Sequence, residues 1–146
     1  MKKKEVFIIA EVGPNHNGSL KLAKKIISLI AKTGVNAIKF QLGNPETVYS
    51  LDSFKANYQK KFDNSKTIIE MSKKLQLSTS QHIILSKYCK KKRLIYLCSA
   101  FDLGSLFFID KKLNVPFFKV PSGEINSLDM LEYLGKSKKE IFLSTG

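Results

Sequence analysis

A lysine with apolar residues on both sides sits badly on a surface and well beside an anion, and this sequence has two: Ile38-Lys39-Phe40 and Phe118-Lys119-Val120. An ammonium in such a strand either snorkels to water or needs a partner, since an unpaired buried charge is costly. A carboxylate or a bound anion supplies that partner. Glu11, inside Ile8-Ile9-Ala10-Glu11-Val12, poses the converse problem and asks for a lysine or a substrate. Gln41, Ser99, Ser122 and Glu124 also close apolar runs. Two ammonium groups with hydroxyls and carboxylates around them are suited to holding a small multiply charged anion and to moving a proton beside it. Other polar positions have a bland alternative. Asn15-His16-Asn17-Gly18 is a polar turn that serves equally well to cap a helix. Ser122-Gly123 offers backbone N–H groups and a hydroxyl to a phosphate, but an ordinary turn looks the same. His82 reads as a structural helix residue, and Asp102 and Asp129 fit helix N-termini.

The elements that must position these groups follow from five short apolar runs, at residues 6–12, 36–42, 94–100, 115–120 and 141–144. Near-continuous hydrophobicity without clean alternation is the mark of strands covered on both faces, hence of a parallel sheet. A helix is expected from about Asn17-Gly18-Ser19, with Leu20, Ala23, Ile27 and Ile30 at helical spacing and Gly34 as its stop. Residues 43–58 show no sustained period and read as a long loop, a length that is usually functional. Helical patterns follow at residues 65–77 and from Ser78, where Ser78-Thr79-Ser80-Gln81 has the form of a capping box, and again at 103–113 and 128–134. Strands alternating with helices leave a doubly wound sheet or a (β/α)8 barrel. No G-x-G-x-x-G follows the first strand, and polar residues stand at the ends of all five runs. Barrel enzymes draw their chemistry from the C-terminal ends of several strands, so the barrel is favoured.

The chain has 146 residues and 43% apolar content, enough for one globular domain with a core. Its net charge of +13 invites a nucleic-acid or membrane-surface reading, but of 25 basic residues only Arg93 is an arginine. Arginine is the usual reader of phosphates and base edges, so the surplus reads as solvated helix faces, and neither nucleic acid nor membrane is an expected partner. Two cysteines, Cys89 and Cys98, cannot make a disulfide framework; they read as half-buried thiols in a reducing compartment, the cytoplasm. The apolar run near the start is too short for a signal peptide or a membrane span.

The segments IIAEVGPNHNGSLKLAKKII, AIKFQ, Tyr58-Gln59, YLCSAFD, PFFKVPSGEINSLDMLEYL and IFLSTG, in this order, resemble the sialic acid synthase family over essentially the whole chain. The patterns E-x-G-x-N-H-x-G, K-F-Q and K-x-x-S-G-E are together far more specific than any one of them. The resemblance implies residues 1–146 to be the incomplete N-terminal part, about four and a half βα units, of a (β/α)8 barrel. The other half-barrel and a small antifreeze-like domain would lie beyond. It implies condensation of phosphoenolpyruvate with an N-acetylated amino sugar to a nine-carbon 2-keto acid, releasing phosphate. It also implies a divalent metal, Mn²⁺ or Mg²⁺, that polarises the open-chain aldehyde, held by histidines on later strands and not by this chain. The complete enzyme is expected to be a homodimer.

Carried over by resemblance, Lys39 and Lys119 match lysines that hold phosphoenolpyruvate, and Ser99 and Ser122 match its hydroxyl ligands. Glu11 and Glu124 match acidic positions near the reacting centre, Gln41 a substrate contact, and Asn15 and His16 the family's turn. Ala100 departs from the family, where many members carry proline. The chain alone is expected to be inactive and to expose an unfilled core face beside its fifth strand. Two other functions fit the residues: a Schiff-base aldolase using Lys119, and a non-catalytic basic half-barrel that binds a partner.

Overall fold

Residues 6–50, 52–57, 59 and 63–146 are described by a computed structural model, in which parallel strands alternate with helices along the chain. Strands β1 (Ile9–Glu11), β2 (Ala37–Leu42) and β3 (Ile95–Ala100) are hydrogen-bonded in that order, and β4 (Phe117–Val120) pairs with β5 (Glu140–Leu143). Every pairing is parallel. β4 packs beside β3 with no ladder between them. The five apolar runs are therefore the five strands, in order, although β1 starts at Ile9 and not at residue 6. Before it, the Ile8 N–H donates to the Asn36 side-chain oxygen at 2.7 Å, and the Ile8 carbonyl accepts from Asn36 and Ala37.

The helices begin where local chemistry dictates. Ser19 caps α1 (Leu20–Ile30) through its side chain, and Ala23 and Ile27 are its buried stripe. Gly34, at φ +81°, ends the turn that follows. The loop after β2 contains a short helix, α2 (Pro45–Val48), with Asn44 as its cap and Pro45 in the first turn, where a proline lacks nothing by having no N–H. α3 (Ile68–Leu75) is capped by Thr67, and α4 (Thr79–Lys91) carries the capping box expected of Ser78 and Gln81. α5 (Leu103–Phe108), capped by Asp102, runs into a π-helical turn (Ile109–Leu113) that stops at left-handed Asn114. α6 (Leu128–Gly135) precedes β5.

Each strand divides its residues between two faces. Ile38 and Phe40 point to the helices and are wholly buried, with Tyr96, Cys98, Phe118 and Val120 beside them. This is the main core, completed by Ile27, Leu85 and Cys89. Both cysteines are fully buried, not half-buried, and burial pushes both thiols above their ordinary range. The other face is aromatic at its N-terminal end, where Phe117 meets Phe7 at 5.8 Å and Phe142 at 4.8 Å, edge to face. At its C-terminal end it is polar. Not every lysine is a solvated one: Lys55 is buried in the loop, donating to the Asp63 carboxylate and carbonyl at 2.7 Å and to the Ser65 carbonyl at 3.0 Å. Among the described residues no helix is long and apolar enough to cross a membrane.

Candidate active site

Register builds the polar end of the sheet. β1 and β2 pair with Glu11 opposite Lys39, and β2 and β3 pair with Gln41 opposite Ser99. Because Lys39 and Gln41 are two apart on one strand, all four side chains share one face. Glu11 and Lys39 form an ion pair through Oε2 and Nζ, and Lys39 also donates to Ser99 Oγ at 3.3 Å. Gln41 Nε2 donates to the other Glu11 oxygen, Oε1, at 3.1 Å. Lys39 is 13% exposed and Glu11 45%, so the cation is sunk beneath a carboxylate that reaches solvent. Gly13 makes this fit possible: at φ +49°, a Cβ there would stand 3.3 Å from Gln41 Nε2 and 3.4 Å from Glu11 Oε1.

Lys119 reaches the same region from β4, on different terms. Its Nζ donates to the Val120 carbonyl at 2.9 Å and to Ser144 Oγ at 2.6 Å. Partial burial holds its pKa below the ordinary lysine value, and the Lys39 ammonium adds to that, with Glu11 pulling the other way. The Lys39 charge is thus felt at Lys119, from the same polar face of the strands. Among the described residues a carboxylate partner is found for Lys39 and only neutral acceptors for Lys119. Ser144 was legible as a polar strand end, but nothing local to it marks it as the partner of a residue 25 positions earlier.

The other expected residues are placed less centrally. Ser122 and Glu124 form a 3₁₀ turn directly after β4 (Ser122–Glu124). Ser122 is exposed, and Glu124 Oε2 accepts from Ser127 Oγ at 2.5 Å. Asn15 is exposed, while His16 is buried. His16 Nδ1 accepts from the Gly18 N–H at 3.1 Å, which leaves the hydrogen on Nε2, and burial lowers its pKa, favouring the neutral ring. Its ring stacks on Phe40 with centroids 5.9 Å apart. Gly18, at φ +70°, lies so close to the end of α3 that a Cβ would stand 2.3 Å from the Lys74 carbonyl oxygen. The polar turn is therefore a close backbone junction as well as a helix cap. His82 is structural as expected, bonded through Nδ1 to the Tyr96 hydroxyl at 2.5 Å, and burial lowers its pKa to about 4.

Next to Gln41 and His16 a cavity of about 240 Å³ opens beneath the loop that follows β2. Tyr49, Val48 and Gln59 line it from the loop, Met71, Ser72 and Leu75 from α3, and Phe101 from the end of β3. None of those seven was singled out as a site residue, although Val48 and Tyr49 lie in the loop read as functional and Gln59 and Phe101 in the segments that carry the resemblance. Tyr58, the neighbour of Gln59, lies outside the described residues.

This chain is similar in sequence and fold to known proteins. It is 40% identical over 144 residues to the N,N'-diacetyllegionaminic acid synthase of Campylobacter jejuni, covering 98% of this chain and 43% of that protein. It is 38% identical over 141 residues to the synthase of the same name from Legionella pneumophila, covering 96% and 39%. Among solved structures, the N-acetylneuraminic acid synthetase of Leptospira borgpetersenii in complex with citrate superposes with a TM-score of 0.79 at 29% identity, over 98% of this chain and 45% of that one. The chain thus spans about two-fifths of the length of the curated relatives it matches, and its α/β fold is the N-terminal part of their barrel. The NeuB family profile matches residues 26–146, and the chain belongs to that family, the sialic acid synthases.

Proposed function

We propose that this chain carries the phosphoenolpyruvate-binding half of a nonulosonate synthase, a transferase that joins phosphoenolpyruvate to an N-acetylated amino sugar. What supports this reading is that Lys39 and Lys119 stand at polar strand ends of β2 and β4, with the Lys39 charge felt at Lys119. Two ammonium groups within electrostatic reach repel each other, and a ligand with a carboxylate and a phosphate relieves that repulsion. The Ser99 and Ser122 hydroxyls add donors from the ends of neighbouring strands. Gln41 and the turn at Asn15 and His16 stand on the side where the sugar would lie.

In the reaction, C3 of the enol attacks the open-chain aldehyde, forming the new C–C bond. Water then adds to C2, and phosphate leaves with the C–O bond. The carboxylate of Glu11, held between Lys39 and Gln41, is placed to take a proton from that water or to orient it. Glu124, close in sequence to Lys119, has the same chemistry available on the β4 side. A divalent ion is part of the proposed complete enzyme, but the residues described do not fit one. Among them no three His, Cys, Asp or Glu groups cluster, His16 Nδ1 is engaged by Gly18, and His82 Nδ1 is engaged by Tyr96. The ion's proposed ligands are histidines on later strands of the complete barrel. Two thiols kept reduced and buried support a cytoplasmic enzyme, and the complete protein is proposed to be a homodimer with small-molecule substrates only.

The test is phosphate release. A chain completed with the remaining barrel strands, given Mn²⁺, phosphoenolpyruvate and N-acetylmannosamine or a diacetamido relative, is expected to liberate phosphate in step with sugar consumption. No phosphate would sink the reading. One observation favours a second reading: Lys119, with its lowered pKa, is the type of lysine that forms Schiff bases. Borohydride trapping with pyruvate would mark Lys119 covalently in that case and leave it untouched in ours.

A further inference from the structure

By sequence the surplus of positive charge spreads over several helices; in the fold most of it gathers on one pair. Between Glu11 and Glu46, and again between Glu70 and Asp102, the chain contains no Asp or Glu. Those two stretches supply α1 and α4, which pack side by side and are joined by a hydrogen bond of 2.8 Å between Ser28 Oγ and the Tyr88 hydroxyl. Nine of the 25 basic residues lie on these helices or in the turns that end them: four between Lys21 and Lys32, then Lys87 and the run 90–93. The other 16 (25 less 9) share the chain with all 12 acidic residues, so the helix pair holds nine of the thirteen net positive charges. Lys24 apart, all nine are exposed, and among the described residues none forms an ion pair. The ammonium groups of Lys24 and Lys92 stand 5.8 and 5.6 Å from the centre of the Tyr88 ring, so two like charges converge on one aromatic. Arg93 takes the left-handed position, φ +60°, that ends α4, where glycine is the usual residue. Lys32 and the run 90–93 stand just before β2 and β3, at the opposite end of the strands from the polar site. This is a second cationic surface, separate from the first.

An aliphatic residue interrupts the lysines on each helix. Leu29 is 56% exposed, four residues after Lys25, and Ile84 is 41% exposed, three before Lys87. Those spacings put each pair on one helix face. Three kinds of polyanion fit a cationic face, and the side chains separate them. Nucleic acid is read chiefly by arginine, and eight of the nine cations are lysines. A lipid surface takes aromatic anchors at the headgroup level, whereas Tyr88, the aromatic of these helices, has its hydroxyl engaged by Ser28. A protein segment with carboxylates around aliphatic side chains matches the cations and the two aliphatic residues together. We propose that the outer face of α1 and α4 docks an acidic protein segment whose aliphatic side chains cover Leu29 and Ile84. The docking is independent of the synthase chemistry, since none of these residues belongs to the strand-end site.

The experiment uses the 146-residue chain and four probes: a peptide of Glu-Glu-Leu repeats, poly-glutamate and a thymidylate oligonucleotide of equal charge, and phosphatidylglycerol vesicles. Fluorescence anisotropy, with co-sedimentation for the vesicles, is expected to rank the leucine-containing peptide first. It should bind about fivefold more tightly than poly-glutamate, because its leucines add apolar burial. Binding should weaken as salt screens the lysines. Lys25→Glu with Lys87→Glu should weaken the peptide by about tenfold, since two attractions become repulsions. Leu29→Gln should remove most of the peptide's advantage over poly-glutamate while leaving poly-glutamate itself unchanged. In methyl NMR spectra the Leu29 and Ile84 signals should shift on peptide binding. Tighter binding to the oligonucleotide or the vesicles, equal binding of the two acidic polymers, or shifts confined to other methyls would each overturn the proposal. So would a folded charge-reversal variant that keeps the full affinity. If that variant does not fold by circular dichroism, Leu29→Gln and the methyl map of the unaltered chain decide.

Discussion

The ends of β2 and β4 each present a lysine, under opposite conditions. Lys39 is sunk beside Glu11 and Ser99, so its charge is already balanced; among the described residues Lys119 holds a carbonyl and a hydroxyl, with no carboxylate beside it. An arriving anion would meet Lys119 as a free cation and Lys39 as one that must be shared with a carboxylate. The two lysines are thus not duplicates. One attracts and the other ties the anion to an acid that can act on it, a division of labour that the bare motif of two strand lysines does not disclose.

The largest effect is expected from Lys39→Ala. It removes a charge-assisted contact to the anion and leaves Glu11, which reaches solvent, as a carboxylate facing that anion, together roughly 2–3 kcal/mol. Phosphoenolpyruvate affinity by titration calorimetry should fall by about a hundredfold, and Lys39→Ala with Glu11→Gln should recover part of it. A loss no larger than that of Lys119→Ala would break the comparison. Lys119→Ala strands no carboxylate, and a charge-assisted hydrogen bond of roughly 1.5–3 kcal/mol corresponds to a loss of at least about tenfold.

A pH series sharpens the distinction. Because burial and the Lys39 charge lower the Lys119 pKa, Lys119 loses its proton on the acid side of the ordinary lysine value of about 10.4. Anion affinity should therefore decline as pH rises toward that value, and Lys119→Ala should flatten the decline. An equal decline in the variant would assign the titration elsewhere. Glu11→Gln releases Lys39 and should tighten phosphoenolpyruvate binding by a few-fold, on the order of the energy of one exposed ion pair, while impairing turnover of a completed enzyme. Ser144→Ala removes a neutral acceptor and should change affinity by about threefold or less.

How much of this was legible depended on the range over which each signal acts. The strands announced themselves because a strand buried on both faces must be apolar throughout, and the helix starts because Ser19 and Ser78 act within three residues. Lys39 and Glu11 were legible as charges in need of partners, and the register β1 to β2 supplied the match. The pairing of Ser144 with Lys119 and the cavity wall were not, because they are brought together by packing between segments with no common period. Gly18 was read as part of a cap, whereas its closest constraint is the Lys74 carbonyl, 56 positions on in sequence (74 minus 18). The helix at Pro45–Val48 was missed because four residues are too few to establish a period.

The aromatic contact among Phe7, Phe117 and Phe142 has a consequence for the order of folding. Phe7 and Phe117 are edge to face at 5.8 Å, yet more than a hundred positions separate them (117 minus 7). Loop-closure entropy makes such contacts late, after the neighbouring βα units have consolidated and shortened the effective loop. During synthesis, Phe7 has no edge-to-face partner until β4 emerges, and even then about half of it stays exposed.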